Sequence, residues 1–303
     1  MILTQSQLSS LCQIAAIAAM EAGEYIASVD RQTLMTEHKN TGSSKASQIV
    51  TEVDRHCDQL IRQHLLPSCR QFDLGLLTEE NLDACQEGIR DRFEATYFWC
   101  VDPLDGTLPF VQGRAGYAVA IALVARDGKP VVGVVYDPVT ADLFTAIEGR
   151  GIEKNAEPIP TAPKHLASTL HLFADNSFKS HSHYPLIMRQ MASIARDLGA
   201  GEINLHCGAG AVQNACQILD YPLACYFKTA KQQEGGGSLW DFAASACLIN
   251  EAGGWVSNMV GQPLDLNRPD STFMNHQGVL FASDQALAQA IIAMANELPA
   301  TET

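Results

Sequence analysis

From Gln5 to Ser28 apolar side chains recur at helical spacing, with Leu8, Leu11, Ala15 and Ala18 along one face, and this predicts an amphipathic helix. A second helical pattern covers Asp54–Leu66 and is expected to close at Pro67. Between them, Glu37–Gln48 is polar with Gly and Ser and reads as a mobile loop, while Ile49–Asp54 reads as a strand-like segment ending in an acid. Residues 81–96 are charged and polar, which suits a surface excursion. Short apolar runs then follow at Tyr97–Val101, Tyr117–Val124, Val131–Tyr136 and Leu143–Ile147, with turn signals at Asp127-Gly128 and Asp137-Pro138. Their close spacing predicts an antiparallel meander.

The pattern changes after Gly149-Arg150-Gly151. Strands are expected at Leu170–Ala174, Ile203–His206, Leu223–Phe227 and Val279–Ala282. Helices are expected at Tyr184–Leu198, Ala211–Leu219, Leu239–Glu251 and from Ser283 to about Asn296. Alternation of this kind predicts α/β layering. The boundary between an N-terminal α+β half, 1–150, and a C-terminal α/β half, 151–303, is therefore placed near residue 150. No long linker marks it, so the two halves should pack closely.

Composition narrows the function. Apolar residues make up 47% and charged ones 18% of the 303 residues, a globular balance with material for a substantial core. A formal net charge of −14 disfavours nucleic-acid polymers and anionic membranes as partners. Nine cysteines without a C-x-x-C pair suit free thiols in a reducing compartment, and no run reaches membrane-spanning length. A cytoplasmic protein is expected.

The candidate chemistry is acidic. Phe98–Val101 empties into Asp102-Pro103-Leu104-Asp105-Gly106-Thr107, and Glu79-Glu80 closes another apolar run, Leu76-Leu77-Thr78. Carboxylates gathered at strand ends repel one another unless a cation lies among them, and a hard divalent ion such as magnesium takes oxygen ligands of this kind. Asp102 and Asp105 are three apart, and a two-residue period would put them on opposite faces, so a turn is expected to aim both at one point. D-P-x-D-G is also ordinary turn chemistry. Gly106 and Thr107 offer backbone N–H groups at a helix start, where a phosphate can be held. Asp54 could equally be a helix N-cap, and Asp241, in Ser238–Ala244, could merely complement a helix dipole.

Taken in order, VTEVD, TEE, DPLDGT and SLWDFAASACLINEAGG resemble the signature blocks of the inositol monophosphatase superfamily, over about residues 8–290. The resemblance implies a layered αβαβα sandwich of the sugar-phosphatase type, hydrolysis of a small phosphorylated alcohol, sugar or nucleotide, two to three Mg2+ ions and lithium sensitivity. It implies metal ligation by Glu79, Asp102, the Leu104 carbonyl, Asp105 and Asp241, with Glu80 supporting them. Asp54 and Thr107, with Glu79, would activate the attacking water, and Gly106 and Thr107 would hold the phosphate. Gly208-Ala209-Gly210 resembles a backbone contact to the alcohol part. Either Lys39 or Lys45 could match a lysine near the third metal, and a homodimer is possible.

The chain departs from the inositol pattern before Asp241. Glu234 stands seven residues ahead of it, on a lengthened loop, 228–237, rather than on a strand. Lys228 and Lys231 flank that loop and would suit a second phosphate, although surface lysines are equally ordinary there. The alternative to an enzyme is a catalytically silent regulatory or phosphate-binding protein on the same fold.

Overall fold

The computed structural model describes residues 2–30, 45–80, 89–160 and 167–298, with side chains from Glu52 onward in the second helix. Helix α1, Gln5–Ser28, begins at Thr4 in a capping box with Gln7, and buries Leu8, Leu11, Ala15 and Ala18 as its stripe requires. Helix α2, Lys45–Phe72, is longer than its sequence pattern suggests. It absorbs Ile49–Asp54, so that segment is not a strand, and it runs through Pro67. The reason is a stripe at four-residue spacing: Val53, Cys57, Ile61, Leu65 and Cys69 are all buried. Beyond Pro67 the last turn is held by Ser68, whose hydroxyl donates to the Leu65 carbonyl (2.6 Å) and accepts from Trp99 Nε1 (3.0 Å).

A seven-stranded sheet runs in chain order through β1 (Gly75–Thr78), β2 (Tyr97–Asp105), β3 (Ala118–Ala125), β4 (Pro130–Asp137), β5 (Asp142–Ile147), β6 (Gly151–Lys154) and β7 (Glu157–Pro158). Its β2–β7 part is the expected antiparallel meander, and β1 pairs with β2 in parallel. A short helix α3, Thr107–Val111, follows β2. A boundary at residue 150 would cut the hairpin between β5 and β6. That turn is clamped from the other half of the chain: Glu251 accepts the Gly149 N–H (3.0 Å) and the Gly151 N–H (2.8 Å). The first sheet therefore ends at Pro158.

The second sheet contains β8 (Thr169–Ala174), β9 (Glu202–Cys207), β10 (Ala224–Lys228), β11 (Trp255–Ser257) and β12 (Val279–Ala282), in the order β11-β12-β10-β8-β9. Its helices are α4 (Tyr184–Asp197), α5 (Ala211–Cys216, continued by a 3-10 turn to Asp220), α6 (Leu239–Glu251) and α7 (Gln285–Glu297). Three apolar cores separate five layers. One joins α1 and α2 to the first sheet, with Leu11, Ile61, Trp99 and Ile121. The middle one packs α5 and α6 between the two sheets, with Ala122, Val212, Phe242 and Phe281. The third covers the second sheet's far face with α4 and α7, through Met191, Leu280 and Ile291. The αβαβα order follows, with α6 lying between the sheets and its first turn directed at the end of β2. Among the described residues no helix is long and apolar enough to cross a membrane.

Candidate active site

Asp102 opposes Ala120 on β3 and Asp105 opposes Ala118, so three steps along β2 match two along its partner. The extra residue is a β-bulge at Pro103-Leu104. Strand β2 thus continues to Asp105, and a bulge, not the expected turn, brings both acids to one face. Pro103 has no N–H to lose there. The buried Leu104 donates its N–H to Asp102 Oδ1 (3.1 Å), which fixes the first carboxylate.

Asp241 arrives from the first turn of α6, where its carboxylate accepts the Ser238 N–H in a capping box. One oxygen of each of Asp102, Asp105 and Asp241 falls within 4.8 Å of the others. Asp105 also accepts the N–H groups of Ala211 (3.1 Å) and Val212 (2.9 Å), so the start of α5 is tied to the same carboxylate. The Gly208–Gly210 segment is pressed against this corner, with the Gly210 N–H donating to the Gly116 carbonyl at 2.8 Å. A Cβ on Gly210 would lie 2.2 Å from Asp105 Oδ2 and 2.7 Å from Gly106 Cα. Gly210→Ala is therefore expected to displace Asp105 and cost about 10–100-fold in kcat/KM, the penalty of misplacing a reacting group by about 1 Å. Steady-state turnover checks this, and an unaltered kcat/KM would refute the close packing.

Glu79 directly follows β1, and its N–H donates to the Val101 carbonyl (3.1 Å), which carries the parallel pairing to the residue beside Asp102. Asp54 comes in from the middle of α2 and is buried; it is not an N-cap. Five acids from four elements thus form one cluster, in which Glu79, Asp105, Asp241 and Asp54 all act on Asp102. Burial first, then the neighbouring carboxylates, hold Asp102 and Asp105 well above the ordinary carboxylate range. Loss of water, with Glu79 and Glu80 adding repulsion, pushes Asp54 up to about 8. Glu79, at the exposed rim, is raised to about 7 by desolvation, Asp241 and Glu80, against a hydrogen bond with Asp102. The Lys228 ammonium opposes this on Asp105 and Asp241. An all-oxygen donor set under this much like-charge strain fits a hard divalent cation.

The other sequence candidates lie around this cluster. Gly106 takes a left-handed conformation (φ 82°) at the foot of Asp105, where a Cβ would meet the Gly116 carbonyl at 2.5 Å, and Thr107 then opens α3 against α2. Glu80 lies 3.9 Å from Arg55 and is raised by burial and by Asp58. Lys228 closes β10 and pairs with Asp175 at 2.7 Å. Lys39 falls outside the described residues, as does the side chain of Lys45, the first residue of α2. The eight described cysteines are free, and burial pushes the Cys12 and Cys57 thiols up to about 12.

Two features escaped the sequence reading. Asp175 ends the apolar strand β8 as Asp102 ends an apolar run, and it accepts from Tyr226 Oη (3.0 Å) and Asn214 Nδ2 (3.4 Å). Asp58 and Arg62, 3.7 Å apart and both buried, extend the acid face of α2 one and two turns behind Asp54. Their four-residue spacing on the helix expected over Asp54–Leu66 was the legible signal, and the sequence reading did not use it.

Residues 7–300 match the model of a family described as the inositol monophosphatase family. Inositol monophosphatase 3 of Solanum lycopersicum is 32% identical over 275 residues, covering 84% of this chain and 87% of its own length. The 3'(2'),5'-bisphosphate nucleotidase CysQ of Aggregatibacter actinomycetemcomitans is 28% identical, with 92% and 94% covered. The solved structure of inositol monophosphatase II from Staphylococcus aureus superposes with a TM-score of 0.69 at 22% identity, covering 95% of each chain, a likeness of fold.

Proposed function

The chain belongs to the inositol monophosphatase family, and from that premise we propose that this phosphatase is a magnesium-dependent hydrolase of a small phosphate monoester. The observation that carries the proposal is the meeting of Asp102, Asp105 and Asp241 within 4.8 Å, with Glu79 at their rim. Glu79, Asp102 and the Leu104 carbonyl would hold one Mg2+, and Asp102, Asp105 and Asp241 a second, with Glu79 shared by a third. A bound divalent ion lowers the pKa of a bound water and neutralises the phosphoryl and leaving oxygens.

The protein's own groups supply the rest. Asp54 accepts the proton of the attacking water through the Thr107 hydroxyl, in the deprotonated form that a cation bound among the acids favours. The Gly106 and Thr107 N–H groups hold phosphoryl oxygens in place, so that attack is in line. Glu80, 3.9 Å from Arg55, supports the cluster from outside as a neighbour of Glu79. Gly208, Ala209, Gly210 and Lys228 face the alcohol part of the substrate. Lithium is expected to inhibit by competing for the same oxygen ligands.

Purified protein should release phosphate from glycerol 2-phosphate with MgCl2 and lose that activity in EDTA. Asp54→Asn should lower kcat by about 10^2–10^4-fold, the usual worth of a positioned base. Release indifferent to EDTA would remove the metal from the proposal. With MgCl2 present, no release from glycerol 2-phosphate, inositol 1-phosphate, adenosine 3',5'-bisphosphate or fructose 1,6-bisphosphate would favour the silent phosphate-binding alternative.

A further inference from the structure

Lys228 ends β10 as an enclosed cation. Its side chain is only 19% exposed, and its ammonium lies 2.7 Å from Asp175 Oδ2. The Phe242 ring lies under the ammonium, 5.6 Å from it. Gly237 closes over both: at φ 113°, a Cβ there would come 2.6 Å from the Phe242 ring and 3.4 Å from Lys228 Nζ. Lys231, on the same loop, is exposed and has no ion-pair partner among the described residues.

The tether of this ammonium is built from the elements that place the acids. Asp175 Oδ1 accepts from Tyr226 Oη (3.0 Å) and from Asn214 Nδ2 (3.4 Å). Asn214 is buried on α5, the helix whose first N–H groups hold Asp105. Gly237 and Phe242 flank the start of α6, which carries Asp241. The Asp175–Lys228 pair is therefore wedged between the two helices that fix Asp105 and Asp241, and its ammonium acts on both carboxylates. An ammonium so enclosed is weakly screened by salt and water. As a strut alone the pair is worth little, because the cost of desolvating two charges offsets much of their attraction.

We infer that Lys228, tethered by Asp175, is a built-in cation of the acidic cluster: it shares Asp105 and Asp241 with the second divalent ion, weakens that ion's hold and sets the magnesium concentration at which the site fills. In the metal-free protein the ammonium offsets part of the repulsion among the acids. Toward a divalent ion on the same carboxylates, the same charge is repulsive. Both effects reduce the gain from binding. Asp175 sets how closely the ammonium approaches, and without it the lysine is free to turn to Asp105 and Asp241. The inference rests on the metal assignment in the proposed function and adds to it the role of this pair.

The experiment measures the Mg2+ dissociation constant of the full chain by titration calorimetry, with melting temperatures alongside, at about pH 8.5, where fewer protons compete for the acids. Lys228→Met should bind Mg2+ about tenfold more tightly than the wild type, a coupling ordinary for groups in contact. Its metal-free melting temperature should fall, and the rise on adding MgCl2 should grow. Lys228→Gln should behave alike, which keeps a packing defect in one variant from deciding the result. Asp175→Asn should weaken Mg2+ binding about tenfold in the wild type but no more than about threefold in Lys228→Met, where no ammonium is left to release. Lys231→Met, which removes an exposed cation, should leave the constant unmoved. Unchanged or weaker binding in both Lys228 variants, an equal effect of Asp175→Asn in the two backgrounds, or equal tightening by Lys231→Met overturns the inference. No Mg2+ binding by the wild type overturns the metal assignment itself, so the two failures are distinguishable.

Discussion

Asp102→Asn should reduce magnesium-supported phosphate release by about 10^3-fold or more, while raising the melting temperature of the metal-free protein. The two effects have one cause. Asp102 is buried at the centre of the cluster, and Glu79, Asp105, Asp241 and Asp54 all act on it. In the metal-free fold it must either stay charged among like charges or stay protonated far above its solution pKa, and both cost stability. An amide removes that cost and can still accept the Leu104 N–H in the bulge. It also removes the carboxylate shared by both proposed ion positions, so turnover is lost. Phosphate-release kinetics and thermal melts in EDTA and in MgCl2 measure both halves. Turnover within tenfold of the wild type would sink the two-ion assignment, and a lower metal-free melting temperature would refute the electrostatic account.

Singly, the acids fitted turn, cap or dipole chemistry as well; they were legible because their four blocks, in order, resemble the signature of one family. Asp54, Glu79, Asp102, Asp105 and Asp241 could be named from four short blocks, and the structure brings Asp102, Asp105 and Asp241 within 4.8 Å of one another with Asp54 and Glu79 close enough to act on Asp102. Their supports were less visible. The bulge at Pro103-Leu104 depends on the register of β2 against β3, which no local pattern encodes. Ile49–Val53 carries β-branched residues and looks like a strand in isolation; the stripe from Val53 to Cys69, packed on α1, overrides that propensity. Asp58 and Arg62 lay on the helix expected over Asp54–Leu66, but their burial beside the acids follows from how α2 packs and not from its pattern. Gly149-Arg150-Gly151 signals a chain reversal, and a hairpin turn and a domain boundary use the same residues; the clamp from Glu251 separates the two only in three dimensions. The lysine pair was seen, but which member stays free depends on Asp175, reached through tertiary packing.

The metal-free protein should lose stability steadily as pH rises from about 5 to about 8, and magnesium should restore more of it at the upper end than at the lower. Asp54 titrates near 8 and Glu79 near 7 in the folded chain without metal, against about 4 for such groups when unfolded. Between those values the folded state binds more protons than the unfolded one, so the slope of unfolding free energy with pH is negative. The stabilising protonated forms are fully present below the unfolded pKa and are lost as pH passes through 7 and 8. This inverts the behaviour of a protein held by salt-bridged carboxylates, which gains stability over the acidic part of that window. Mg2+ binds the deprotonated cluster, so its stabilisation must grow as protons leave, by linkage between ligand and proton binding. Thermal melts across that range, in EDTA and in MgCl2, read both curves. In Asp54→Asn the metal-free slope should flatten at its alkaline end, because the group titrating near 8 is gone. A metal-free melting temperature that rises from pH 5 to 8, or a magnesium shift of equal size at both ends, would show that the acids are not strained in the way their burial requires.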